Sequence, residues 1–261
     1  MARGYDRHAG LNTPTQQLLR KANEELSEHL PGGYFIQGSG GRGTATLSPW
    51  IGVFDPDETT TPQQGIYVVY LFAEDMSTVS LSVQQGITNL SNAIGGAAAR
   101  TQLAEDAAAI QVMLGHAATG LDAEMHLSST GTRQRGYEAG NIASISYATS
   151  SLPPERSLRS DLARILHVYE LAISAKREFL SREGGHIGFG VLAEHRRRGH
   201  ATEILRQSLV VARAVGIDRV LVTCDDDNVG SATVIERCGG VLTDRLDMGP
   251  DLAPLRHYWI D

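Results

Sequence analysis

The amino-acid sequence predicts two modules: an α+β N-terminal module built on an aromatic-rich sheet, then a smaller α/β module. Three observations carry this. Between Tyr34 and Ser82 the chain runs through TATLSPWIGVF, GIYVVYLFAED and STVSLSVQ, β-branched and aromatic segments separated by Asp-Pro-Asp and Thr-Pro-Gln-Gln-Gly turns. Helical periodicity flanks that region on both sides. At Gly184-Gly185 the pattern resets, and the remainder reads as β-α-β-α-β-β.

Each element has its own signal. Thr13 is a helix cap and Pro14 fits the first turn. Leu18, Leu19, Ala22, Leu26 and Leu30 then recur at helical spacing before Pro31-Gly32-Gly33 ends the helix. Asn89 to about Leu114 reads as an alanine-rich helix with Gly95-Gly96 as its weak point. A short strand is expected around Met125-His126-Leu127, followed by the stretch Tyr137–Tyr147. After Leu152-Pro153-Pro154, Ser157 to about Phe179 is helical, with Leu158, Leu162, Ile165, Leu166, Tyr169 and Ile173 near one side. In the second module GHIGFGVL is a strand, RRRGHATEILRQSLVVARAVGI a helix, RVLVTCD a strand and NVGSATVIERCGG a helix. VLTDRL and LRHYWID are closing strands. The boundary falls near residues 178–184, giving modules over 12–178 and 184–261.

With 41% hydrophobic and 20% charged residues among 261, the composition is that of a folded protein and excludes disorder, collagen and coiled coil. Two cysteines, Cys224 and Cys238, provide no disulfide framework and point to a reducing compartment. The N-terminal stretch has no apolar h-region, and no apolar run is long enough to span a membrane, so a cytoplasmic protein without membrane attachment is expected. The net charge of −7 argues against a general polyanion binder. Residues 1–178 hold 13 basic and 18 acidic side chains, and residues 179–261 hold 10 and 12, so neither module is basic. Between Arg42 and Arg100 there is no lysine or arginine.

The strongest chemical signal is Arg196-Arg197-Arg198-Gly199-His200-Ala201, between a strand and a helix. An Arg-x-x-Gly-x-Ala turn at a helix start lets successive backbone N–H groups point outward together, and the helix dipole adds positive potential. Such a nest suits a pyrophosphate, with the arginines available for further phosphate oxygens. The plainer alternative is a charged helix start whose arginines are solvated.

The segments GHIGFGVLAEHRRRGHATEIL, RVLVTCDDDNVGSATVIERCGGVL and HYWID closely resemble the GNAT acyltransferase family, which moves an acyl group from acyl-CoA to an amine. The resemblance covers about residues 184–261 and implies acetyl-CoA as cofactor. It places the CoA pyrophosphate on Arg196, Gly199 and Ala201, with the amides of Arg197, Arg198 and His200 adjoining. It pairs pantetheine with the strand around Phe189 to Leu192, which includes Val191 and Leu192, and brings Asn228 to the pantetheine arm with Ser231 one turn on. Where many relatives carry a tyrosine general acid this chain has Ile235, and GHIGFGVL lacks the usual glutamate base. Glu194 and His186 are the nearest titratable candidates for catalysis. A complete acyltransferase of this class has further helices and strands before the pyrophosphate strand; here that strand becomes an unpaired edge.

Other patterns are set aside. GSGGRG at 38–43 spells GxGxxG, but a β-like segment follows instead of a helix, and the P-loop lysine is absent. Asp225-Asp226-Asp227-Asn228-Val229-Gly230 with Glu236 partly fits a calcium loop, yet Val229 occupies a ligand position. No histidine–cysteine cluster has zinc spacing, so no metal is expected.

In the first module Trp50, Phe54, Tyr67, Tyr70 and Phe72 sit at strand spacing, which makes most of them core. Alternation puts Tyr70 and Phe72 on one face and Tyr67 on the other. The glycine-rich loop Gln37–Gly43, with one arginine and many amides, is the better candidate surface. The runs G-S-G-G-x-G, P-W-I-x-x-F-D, Y-x-V-Y-L-F-x-E-D-M and G-Y-E-A-G-N-I resemble the N-terminal domain of McrB-like modification-dependent restriction proteins, over roughly residues 12–178. The resemblance implies recognition of modified DNA, with a base extruded into an aromatic pocket; Arg42, Trp50 and Tyr137 are its candidate contacts. The expected partners are therefore a small-molecule or protein amine acceptor and modified DNA, with self-association left open. The rival reading is a non-enzymatic DNA-binding or defence-associated protein whose acyltransferase half is a remnant.

Overall fold

The computed structural model describes residues 4–6, 8, 10–179, 184–214, 216–248 and 253–261. The chain divides into two units, Met1–Ala175 and Lys176–Asp261. The division falls inside the helix α6 (Glu155–Phe179), slightly before the boundary expected from sequence. Ile173 is the last residue of α6 in the first unit's core, so burial there ends before the helix does.

The first unit opens with α1 (Pro14–Arg20) and α2 (Ala22–Leu26). Thr13 caps α1 by accepting from the Gln16 amide. The backbone breaks helical geometry at Lys21, so the single helix expected here is two short ones. Five strands follow, β1 (Phe35–Arg42), β2 (Thr44–Phe54), β3 (Ile66–Phe72), β4 (Thr78–Gln85) and β5 (Asn141–Ala148), in a sheet of order β1-β2-β3-β4-β5 with every neighbouring pair antiparallel. Between β4 and β5 lie α3 (Thr88–Ile94), α4 (Gly96–Leu114) and α5 (Thr132–Ala139). Gly95, at φ 84°, separates α3 from α4, the break that the glycine pair signals.

Both faces of this sheet are covered, which explains why IYVVYLF in β3 is apolar without alternation. On one face the row Ile36, Val53, Val68, Val83, Ala143 crosses all five strands. Its core takes in Ala107, Ile110 and Leu114 of α4 and Leu162, Ile165, Tyr169 and Ala172 of α6. On the other face Phe54, Tyr67, Val69 and Leu71 pack with Met125 and Leu127, and Trp50 and Tyr137 border them. Met125–Leu127 is therefore not the strand expected there. Leu127 donates its N–H to Glu138 Oε1 at 2.8 Å and gives its carbonyl to the Glu74 amide at 2.9 Å, so the segment caps the sheet face instead of joining a ladder. The stretch Tyr137–Tyr147 resolves into the end of α5 followed by β5.

The second unit contains α7 (His200–Ala214), β6 (Val220–Asp225), α8 (Val229–Arg237), β7 (Val241–Leu246) and β8 (Leu255–Ile260). The sheet order is β6-β8-β7, and β8 is antiparallel to both neighbours, so β6 and β7 run parallel with β8 between them. Leu205, Leu209 and Ala212 of α7 meet Val220, Val222 and Cys224 of β6, Ala232 and Ile235 of α8, and Tyr258 and Ile260 of β8. The strand expected over GHIGFGVL is not formed. Ile187 and Phe189 pack against this core while Gly188, Gly190 and Leu192 are exposed, an extended segment with alternate burial. Among the described residues, pairing with β6 occurs only at His186, and the glycines on either side weaken any continuation. Among the described residues no helix is long and apolar enough to cross a membrane.

Candidate cofactor and nucleic-acid sites

The turn before α7 is built by backbone conformation. Ala193–His195 forms a single 3-10 turn, Arg196 is extended, and Arg197 and Gly199 have positive φ values of 63° and 85°. Gly199 then accepts the first helical hydrogen bond, from the Glu203 amide at 3.1 Å. A glycine cap offers no side-chain acceptor, so the first amides of the helix are not capped. Among the described residues the amides of Arg197 to Thr202 donate to no protein group. All residues from Ala193 to His200 are exposed. A Cβ built on Gly199 meets nothing within 4 Å, so the mouth of the turn is open. Arg196 is turned inward, its Nε donating to the Val191 carbonyl at 3.0 Å.

The Leu192 carbonyl accepts from the His195 amide at 2.9 Å, so the Val191 and Leu192 carbonyls each carry one hydrogen bond within the turn. Asn228 caps α8, its Oδ1 accepting from the Ser231 amide at 3.0 Å, which places these two predicted residues together. Asn228 Nδ2 remains a donor. His186 is committed to the fold: its Nδ1 accepts the Leu221 amide at 2.7 Å, and its ring lies 6.0 Å from Trp259. With Nδ1 accepting, the neutral ring carries its proton on Nε2 and has no second lone pair for a substrate amine. Glu194 is an exposed carboxylate in the 3-10 turn. Ile235 is 0% exposed in the core.

In the first unit the run Gln37–Arg42, expected as a loop, is the edge strand β1. Its glycines let α1 pack directly on the strand. A Cβ on Gly38 would lie 1.9 Å from the Leu19 carbonyl oxygen, and one on Gly40 would lie 2.1 Å from the Gln16 side chain. Between α1 and β1 runs a cleft of about 390 Å³, lined by residues including Asn12, Gln16, Arg20, Gln37, Ser39 and Arg42. Arg42 sits at the hairpin tip opposite Thr44, exposed and without a partner among the described residues. Trp50 packs edge-on to Phe54, with ring centroids 6.5 Å apart. Tyr137 flanks the same cluster, and burial pushes its phenol pKa up. Trp50 and Tyr137 are thus half-buried on one sheet face, while Arg42 lies at the end of the hairpin.

A family model described as MrcB-like, N-terminal domain matches residues 6–173, the larger part of the chain. The chain belongs to the MrcB-like N-terminal domain family. A second model, described as Acetyltransferase (GNAT) domain, matches residues 172–241. The protein is therefore a fusion of an MrcB-like N-terminal domain with a GNAT acetyltransferase domain, as the sequence motifs imply. The GNAT match begins within α6 and stops at the start of β7, whereas the motifs placed that module over 184–261. A search of the curated proteins finds no match.

Within the MrcB-like domain, sequence reasoning missed Asn12, Gln16 and Arg20 as partners of the glycine run. The available signal was an arginine about two turns after a capped helix start, but nothing local pairs that helix with a strand beyond Pro31. In the second unit it missed Arg256, which donates to Asp226 Oδ1 at 2.6 Å while Arg245 lies 3.3 Å from the same oxygen. The bond to Arg256 holds the Asp226 carboxyl below the usual carboxylate range. These groups tie the β6–α8 loop to β8 beside Asn228.

Proposed function

We propose that the GNAT unit binds acetyl-CoA at the start of α7, in an N-acyltransferase-type protein whose MrcB-like unit recognises modified DNA. The observation supporting this best is the run of unpartnered amides from Arg197 to Thr202, at the positive end of a 15-residue helix. A pyrophosphate satisfies those amides, and the exposed guanidinium groups of Arg197 and Arg198 add charge-assisted bonds. Left-handed backbone at a non-glycine residue costs about 1–2 kcal/mol, so the Arg197 conformation is strain held at the point where the anion would bind. Asn228 Nδ2 and Ser231 lie at the start of α8 to contact the pantetheine arm.

Acetyl-CoA, when bound, supplies an acetyl group activated as a thioester. The chain's own contribution is to hold the anionic end and to take a proton from the amine acceptor. Because His186 Nδ1 is occupied, Glu194 is the base this reading retains. A second reading, binding without transfer, is favoured by Ile235 lying in the core where the family resemblance places a tyrosine acid.

Acetyl-CoA is expected to raise the melting temperature of the intact chain, with about 2.7 kcal/mol of stabilisation at a hundredfold excess over Kd. Gly199→Glu abolishes the shift by placing a carboxylate in the turn. No shift at millimolar acetyl-CoA overturns the proposal. Release of free CoA thiol with an amine acceptor separates transfer from binding alone. For the DNA reading, a methylated duplex should bind more tightly than an unmodified one; equal affinity overturns modified-base recognition.

A further inference from the structure

The cleft between α1 and β1 has a lining unlike the rest of its unit. Among the described residues it carries two arginines, Arg20 and Arg42, with amide and hydroxyl groups from Asn12, Gln37 and Ser39, and no carboxylate. This occurs in an N-terminal module where acidic residues outnumber basic ones 18 to 13. The stretch from Gly43 to Ala99, which includes β2, β3 and β4, contains no lysine or arginine.

The donors are arranged for an anion. The Ser39 hydroxyl oxygen accepts from the Gly41 amide at 3.2 Å, which leaves its proton to donate outward. Gln16 is committed to the Gly40 carbonyl at 3.0 Å and forms part of the wall. Arg20 donates to the Leu11 carbonyl, which holds its guanidinium beside Asn12. Ser39 lies opposite Trp50 in the β1–β2 register, on the face of β1 turned away from Gly38, Gly40 and α1, so the cleft sits at the edge of the sheet.

We infer that this cleft is a phosphodiester subsite, in which Arg20 and Arg42 hold the backbone of a nucleic-acid strand. The inference rests on the DNA-recognition reading of the MrcB-like unit and adds Arg20, Asn12, Gln37 and Ser39 to it. About 390 Å³ accommodates a phosphate with its sugar. Phosphate contacts by arginine set affinity and its salt dependence without reading sequence.

The test is a salt series of duplex binding by the full chain, followed by fluorescence anisotropy with a labelled methylated duplex. Arg42→Gln is expected to flatten the slope of log K against log salt by about one unit, and the Arg20→Gln, Arg42→Gln double variant by about two. Arg156→Gln, on the exposed side of α6, leaves the slope unchanged. Because Arg20 also holds Leu11, Arg42→Gln alone decides the matter if the double variant does not fold. Wild-type binding with an unchanged slope in Arg42→Gln overturns the subsite and leaves the DNA reading standing. Wild-type protein that binds no duplex overturns both.

Discussion

His186 meets Leu221 twice: its backbone N–H donates to the Leu221 carbonyl at 2.7 Å, and its imidazole Nδ1 accepts the Leu221 N–H at 2.7 Å. One residue thereby satisfies both main-chain groups of a residue that is 0% exposed on β6. Gly185 before it has φ 63°, and a Cβ there would lie 2.8 Å from the same Leu221 oxygen, so the approach needs glycine.

His186→Ala leaves the Leu221 amide unpaired and is expected to destabilise the unit by about 1–3 kcal/mol. His186→Gln, which keeps an acceptor, should lose less. Urea denaturation of the intact chain checks this. An alanine variant of unchanged stability that loses all acyl transfer would instead make His186 a catalytic group.

Two glycines in one strand–turn region should respond differently to alanine. At Gly38 the new Cβ meets the Leu19 carbonyl at 1.9 Å, so α1 must move off β1, at about 2–3 kcal/mol. At Gly43, φ 76° with nothing within 4 Å, only left-handed strain of about 1 kcal/mol is added. Melting temperatures of Gly38→Ala and Gly43→Ala should separate in that order.

Alkali should unfold the MrcB-like unit early. Burial, with Asp161 and Glu155 nearby, raises the Tyr70 phenol to about 12 from its ordinary 10.0. Burial and the bond to Asp161, 2.9 Å from the hydroxyl, raise Tyr147 further. A phenol whose folded pKa lies above the unfolded one adds stability that is complete below pH 10 and declines as pH climbs towards the folded value. Melting temperature followed from pH 8 upward should therefore fall steeply beyond pH 10, with phenolate absorbance appearing at unfolding rather than before it. Tyr147→Phe should soften that fall.

Local signals read well where the determinant is itself local. Thr13 and Pro14 mark the start of α1, Gly95 the break between α3 and α4, and the turn Arg196–Ala201 the start of α7. Failures arose where the determinant is distant. Met125–Leu127 has strand composition but is held by Glu138 and Glu74 as a cover. The segment 186–192 alternates like a strand yet lacks a ladder partner beyond Leu221. TRQRGYEA is short and carries Gly136 mid-segment, which blurs its local helical signal, and as α5 it buries Gln134 and Gly136. The glycine run 38–43 misled for the same reason, since Gly38 and Gly40 make room for α1, which is separated from β1 by α2 and a turn. Candidate residues divide likewise: Asn228 and Ser231 met as their spacing implies, while Arg20 joined Arg42 only through the tertiary fold.

The pairing order of the first sheet also sets a timetable. Strands β1 to β4 bond only to their sequence neighbours, whereas β5 must return across α3, α4 and α5 to reach β4. Closing that longer loop carries the larger entropic cost, so the meander assembles first and the β4–β5 ladder last. During synthesis the edge of β4 waits unpaired until residues near 148 have left the ribosome. Its inner-facing Ser80, Ser82 and Gln84, which later bond to Ser146, Asn141 and the Tyr137 carbonyl, keep that waiting edge polar and make it a poor seed for aggregation.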